Sequence, residues 1–183
     1  MTIILIIIAV IVVLALYFIS TRNSLVQLKN TVEEAFSTMD VYLKKRWDLI
    51  PNLVETVKGY AKHEENTLKE IVELRNSSYD SLSSDAKVDV NNKLTGGISK
   101  LMAIAEAYPE LKANENFKDL SNQLSNIEND IANARKYYNG AVKQYNNKVM
   151  MFPSSIVASM SGYQQQNMFA ASEAERENVK VQF

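Results

Sequence analysis

One segment constrains this chain more than any other: an unbroken run of 17 apolar residues, Ile3 to Ile19, with no Gly, Pro or charge. At about 1.5 Å of rise per residue it forms a helix of roughly 26 Å, enough to cross the hydrocarbon core of a bilayer. A helix is also the one open-ended structure that satisfies its own backbone there. The competing reading is a cleaved signal peptide, which would place basic residues before the run and small residues at a cleavage position after it. Only Met1 and Thr2 precede the run, and it leaves through Tyr17, Phe18, Ile19 and Ser20, where the aromatics suit the headgroup layer. An uncleaved anchor over residues 1–21 is therefore expected, carried by Ile3, Leu5, Val10, Leu14 and Phe18.

Charge and cysteine content exclude several functions. The 20 basic and 21 acidic residues leave a net charge of -1, so there is no global basic field for nucleic acid, and none is expected as a partner. With no cysteine and a single histidine, the chain has no disulfide framework, thiol nucleophile or Cys-ligated metal site.

The rest reads as helical. Leu25, Leu28, Val32, Phe36, Met39, Leu43, Trp47 and Ile50 recur at a helical spacing and mark one buried stripe that continues the anchor. Asp48 stands before Pro51 as a cap for a new helix, which predicts a tight reversal near Trp47. A second stripe then runs from Leu53 to Leu82, interrupted at Glu64. Ser83, Ser84 and Asp85 stop it and cap a third helix, Val90 to Tyr108, weakened by Gly96 and Gly97. Tyr108 to Asn116 reads as a loop. From Phe117 a heptad alternation carries Leu120, Leu124, Ile127, Ile131, Ala134, Tyr138, Ala141, Tyr145, Val149 and Phe152. The core is expected at Leu124, Ile127, Ile131, Tyr138 and Tyr145. The predicted fold is all-α: a transmembrane helix continuing into an up-and-down four-helix bundle over 22–152, then a short helix and an extended tail over 153–183. The alternative is a rod of two long helices kinked at Pro51 and Pro109.

Two stretches carry a family resemblance. DVYLKKRWDLIPNLVETVKGY, Asp40 to Tyr60, with AKHE after it, and RKYYNGAVKQYNNKVMMFP, Arg135 to Pro153, resemble the two signatures of the bacterial LemA family, and VKVQF resembles its usual ending. The resemblance implies a single-pass membrane protein with a four-helix bundle and no established enzymatic activity. One relative, the magnetosome protein MamQ, is linked to making intracellular membranes, which offers a membrane-organising role by analogy. The bacterial cytoplasmic membrane follows as the location. Arg22 and Lys29 after the anchor, against no side-chain charge before it, place the bundle on the cytoplasmic side.

No constellation for chemistry assembles. His63 beside Glu64 and Glu65 lacks the paired Glu-x-x-His motifs of a bundle metal site, because Tyr60 stands where the glutamate would be. Neither catalytic residue, metal nor cofactor is expected. Asp40, Lys44, Arg46, Asp48 and Pro51 group at the expected reversal, as an anion or partner site or, more simply, as caps and helix-end charges. Arg135 is expected to reach a carboxylate such as Glu128 or Glu64. Tyr137, Tyr138 and Tyr145 among Asn139, Asn146 and Asn147 present a sugar or peptide surface, or else seal the bundle.

Past the fourth helix, Phe152, Ile156, Val157, Met160 and Phe169, with the tail residues Val179, Val181 and Phe183, are expected to contact the membrane or a second copy, against a fold-back onto the bundle's own end. Two functions compete. One is a homo-oligomeric scaffold that organises the lipid bilayer; the other is a membrane-tethered adaptor presenting the bundle to an envelope partner such as a protease.

Overall fold

The computed structural model describes residues 1–75 and 78–169, and every regular element among them is helical. The expected tail contacts Val179, Val181 and Phe183 lie outside the described residues. The elements are α1 (Thr2–Lys58), α2 (Glu65–Glu73), α3 (Ser84–Ala107), α4 (Pro109–Ala113), α5 (Glu115–Met150) and α6 (Ser154–Met160), with single 3-10 turns at Lys62–Glu64 and Tyr79–Ser81.

The reversal expected near Trp47 is absent. α1 runs unbroken from Thr2 to Lys58 with Pro51 inside it. A proline there cannot donate to the carbonyl four residues back, yet the apolar stripe stays in phase across it. Trp47, Ile50, Val54, Val57 and Ala61 are all buried, so packing on both sides holds the segment helical where local propensity would stop it. The chain turns instead at Gly59 and Tyr60, where the Tyr60 and Ala61 amides both donate to the Val57 carbonyl. The second stripe is accordingly not one helix but the end of α1, a 3-10 turn and α2. The expected loop at Tyr108–Asn116 contains α4, with Pro109 at its first turn, where a missing N–H costs nothing. At the start of α3 the serine cap is present: Ser83 Oγ accepts from the Ala86 amide at 3.3 Å.

The chain divides into two compact units. The first, Met1–Thr38 with Ala134–Met168, packs the N-terminal part of α1 against the C-terminal end of α5. Val32, Ala35, Ala141, Val142 and Tyr145 form one buried cluster, and Leu25, Val157 and Ala158 form another, joined by Phe18, Val149 and Tyr163. Phe36 meets Tyr138 edge to face, with ring centroids 5.8 Å apart.

The second unit, Met39–Asn133 with Phe169, has its own core on α1, α2, α3 and α5, including Leu43, Leu53, Ile71, Leu94, Leu101 and Leu124. Gly97 is one reason α2 can approach α3 closely. A Cβ at that position would stand 3.2 Å from Ile71 Cγ1, so this glycine serves packing and not a turn.

Candidate functional site

The residues expected at a reversal lie in mid-helix, and the second unit uses them as a polar lock. Arg46 is 1% exposed, and all five of its N–H donors are engaged. Nε donates to Asn91 Oδ1 at 3.2 Å. Nη2 donates to the Asn91 carbonyl at 2.7 Å and to Asn91 Oδ1 at 2.9 Å. Nη1 donates to Thr95 Oγ1 at 3.1 Å and to Glu128 Oε1 at 2.9 Å. Asn91 in turn donates from Nδ2 to the Lys87 carbonyl at 2.9 Å. One guanidinium thus ties α1 to α3 and α5 at a fixed register. Glu128, one of the carboxylates expected near Arg135, pairs with Arg46.

Nearly two turns back on α1, Asp40 spends both carboxylate oxygens. Tyr79 Oη donates to Oδ1 at 2.7 Å and Lys87 Nζ donates to Oδ2 at 2.7 Å. Burial first, and the bond to Asp40 second, push the Tyr79 phenol far above its ordinary range. Trp47 packs on Tyr79 with centroids 5.3 Å apart, and the Arg75 guanidinium lies 5.1 Å from the Trp47 ring. Burial lowers the Arg75 pKa, and the Asp48 charge opposes that shift. Lys44 pairs with Asp48 on the same helix at 2.7 Å, and Pro51 follows within α1. Arg46 and Asp40 have committed their charged atoms to side chains and backbone of other helices and turns, so the cluster holds those elements together. Among the described residues no three His, Cys, Asp or Glu side chains gather as a metal would need, and His63 is exposed in the Lys62–Glu64 turn.

In the first unit the polar face of α5 does bind a peptide, and the peptide is this chain. Tyr138 Oη donates to the Asn167 carbonyl at 3.1 Å, and Tyr145 Oη to the Gln164 carbonyl at 2.9 Å. Asn146 exchanges two bonds with the backbone of Gln166. The segment reaches that face because α6 ends in a left-handed Gly162 (φ 74°): the Tyr163 amide donates to the Ala158 carbonyl and the Gly162 amide to that of Ser159, the Schellman pattern. The Ser161-Gly162 pair is the sequence signal for this stop, and the periodicity of α6 alone does not reveal it.

Of the expected core, Leu124, Ile131 and Tyr145 are buried and Ile127 and Tyr138 partly so. The expected membrane or oligomer contacts separate into two groups. Val157 and Phe169, each 4% exposed, are buried within the chain and are not available as surface contacts; the apolar face of α6 folds onto Leu25. Phe152, Ile156 and Met160 are exposed. Phe152 does not extend the stripe of α5, which ends at Met150 before a turn closed by Ser154 Oγ donating to the Met151 carbonyl at 2.8 Å. The anchor residues Ile3, Leu5, Val10 and Leu14 are exposed along α1, while Phe18 is partly covered by the second apolar cluster.

The class defined by these features is an all-α chain whose N-terminal helix is long and apolar enough to cross a membrane. The LemA family model matches residues 35–183, and the chain belongs to the LemA family. It is similar to Protein LemA of Metamycoplasma hominis, with 25% identity over 163 residues that cover 88% of this chain and 74% of that protein.

Proposed function

We propose that this protein is a non-enzymatic, membrane-anchored scaffold that self-assembles and organises or remodels the bacterial cytoplasmic membrane, with an up-and-down four-helix bundle as its body on the cytoplasmic side. The supporting observation is the state of α1. Its first part is apolar and wholly unburied by the chain itself, and the same helix continues through Lys58. Such a surface is stable only against lipid or further copies. Residues 153–183 serve as the membrane-proximal or oligomerisation segment, and neither cofactor nor nucleic acid takes part.

The mass of the detergent-extracted full chain tests this reading. A discrete large assembly supports the scaffold, and a monomer that retains one other protein supports the adaptor. The adaptor reading draws on a groove of about 530 Å³ in the second unit, floored by Val54, Ala61, Leu68 and Val72 and rimmed by Lys58 and Glu65, a shape suited to an amphipathic helix.

A further inference from the structure

The turn joining α5 to α6 sits beside α1 where the apolar run ends. A groove of about 470 Å³ is lined by Tyr17 and Leu28 of α1, by Asn147 and Lys148 of α5, and by Met151 and Phe152 in the turn. Tyr17 begins the aromatic exit of the apolar run, so a bilayer that covers Ile3 to Leu16 brings its headgroups to the mouth of this groove. The outer side of the turn is apolar and, among the described residues, unpartnered: Phe152 is 81% exposed, and Met150, Met151, Ile156 and Met160 are exposed around it. In water this patch would be costly; in the headgroup layer it is at home.

Charge gives an independent indication. The first unit carries Arg22, Lys29, Arg135, Lys136, Lys143 and Lys148 against only Glu33 and Glu34, although the whole chain is close to neutral. Both acids lie beyond Lys29, and there is no Asp or Glu from Ile131 to Phe169. Lys148 lines the groove itself. The fold therefore brings Lys148 back beside Tyr17, about 130 residues away in sequence, within a unit whose net positive charge attracts an anionic surface.

We propose that this turn is seated in the headgroup layer of the leaflet that α1 leaves, with Phe152 and its methionine neighbours at the acyl boundary and Lys148 holding the phosphate of an anionic phospholipid in the groove. The inference rests on α1 crossing the bilayer and does not depend on self-assembly.

The test uses the full chain with Trp47→Phe and Phe152→Trp, which moves the single tryptophan into the turn. The protein is reconstituted in phosphatidylcholine vesicles with or without phosphatidylglycerol, and bromine near the top of the acyl chains is carried on one lipid or the other. The expected result is quenching of Trp emission by bromolipid, with stronger quenching when the bromine is on phosphatidylglycerol. Lys148→Ala should lower that preference by about fivefold, the effect of one basic side chain at an anionic surface. Quenching by aqueous iodide instead of bromolipid, in protein that still floats with vesicles, overturns the proposal. So does protection from both quenchers that depends on protein density, which would mean a second copy covers the turn. An unchanged lipid preference in Lys148→Ala overturns the phosphate assignment. Protein that fails to float at all removes the anchor, and with it this inference.

Discussion

Asn146 and Gln166 exchange two hydrogen bonds, Asn146 Nδ2 donating to the Gln166 carbonyl at 2.8 Å and the Gln166 amide donating to Asn146 Oδ1 at 2.9 Å. A side-chain amide here pairs with a backbone as a neighbouring strand would. Asn146→Leu should leave the Gln166 N–H and C=O without partners and cost about 1–3 kcal/mol. Hydrogen exchange at the Gln166 amide measures this directly: protection should vanish in the variant while amides in the middle of α5 keep theirs.

Removing Arg46 should cost far more than removing Glu128. Arg46→Ala deletes every guanidinium bond of the lock and takes the guanidinium from the buried Asn91 Oδ1, about 3–5 kcal/mol by the precedent of broken buried pairs. Glu128 is 37% exposed on its side chain, and Arg46 keeps Asn91 and Thr95 without it, so Glu128→Ala should cost only about 1 kcal/mol. Denaturant unfolding of both variants checks the order; equal losses would mean that the ion pair, and not the amide contacts, holds the guanidinium.

The adjacent glycines of α3 should respond with opposite signs. Gly96 is exposed and a Cβ there meets nothing within 4 Å, so Gly96→Ala should stabilise by about 0.5–1 kcal/mol through helix propensity. At Gly97 the same gain is opposed by Ile71 Cγ1 at 3.2 Å, and Gly97→Val should be clearly destabilising. Thermal melts of the two variants decide it.

Alkaline conditions should loosen the second unit. Burial and the bond to Asp40 hold the Tyr79 phenol well above its ordinary pKa of 10.0, so its contribution is complete below that value. As pH rises past about 10 the unfolded chain ionises its tyrosine while the folded one does not, and stability falls. Tyr79→Phe should flatten that fall, read as the difference in melting temperature between pH 8 and pH 11 (both at about the same salt).

The heptad of α5 gives the most direct test of a reading made from sequence. Leu124 and Ile131 are 3% and 1% exposed, and Leu124→Ala or Ile131→Ala should each cost about 2–5 kcal/mol. These positions were legible because burial on a helix imposes a period that a one-dimensional pattern records. The stripe of α1 was legible for the same reason, with Leu25, Val32, Met39, Leu43, Trp47 and Ile50 all buried.

What the pattern did not show depends on partners far away in sequence. Pro51 is a local stop signal, overruled by the burial of Leu53, Val54 and Val57 beyond it. Arg46 reads as a helix-end charge, and its burial makes sense only with Asn91, Thr95 and Glu128 around it, 45 to 82 residues on. The aromatic and amide side chains of α5 suggested a peptide surface, but nothing in their spacing named Gln164 to Asn167 as the peptide.

That strap on α5 has a consequence for how the chain can vary. Tyr138, Tyr145 and Asn146 hold the strap by hydrogen bonds to the carbonyls of Gln164, Gln166 and Asn167 and the amide of Gln166, groups that nearly every amino acid supplies. The polar part of the docking information is thus written on the helix. Side chains at 164, 166 and 167 are free to drift, save for proline at 166, which would delete the donated N–H. Among relatives the strap would look like unconstrained filler, its structural necessity visible only in the tyrosines and the asparagine that hold it.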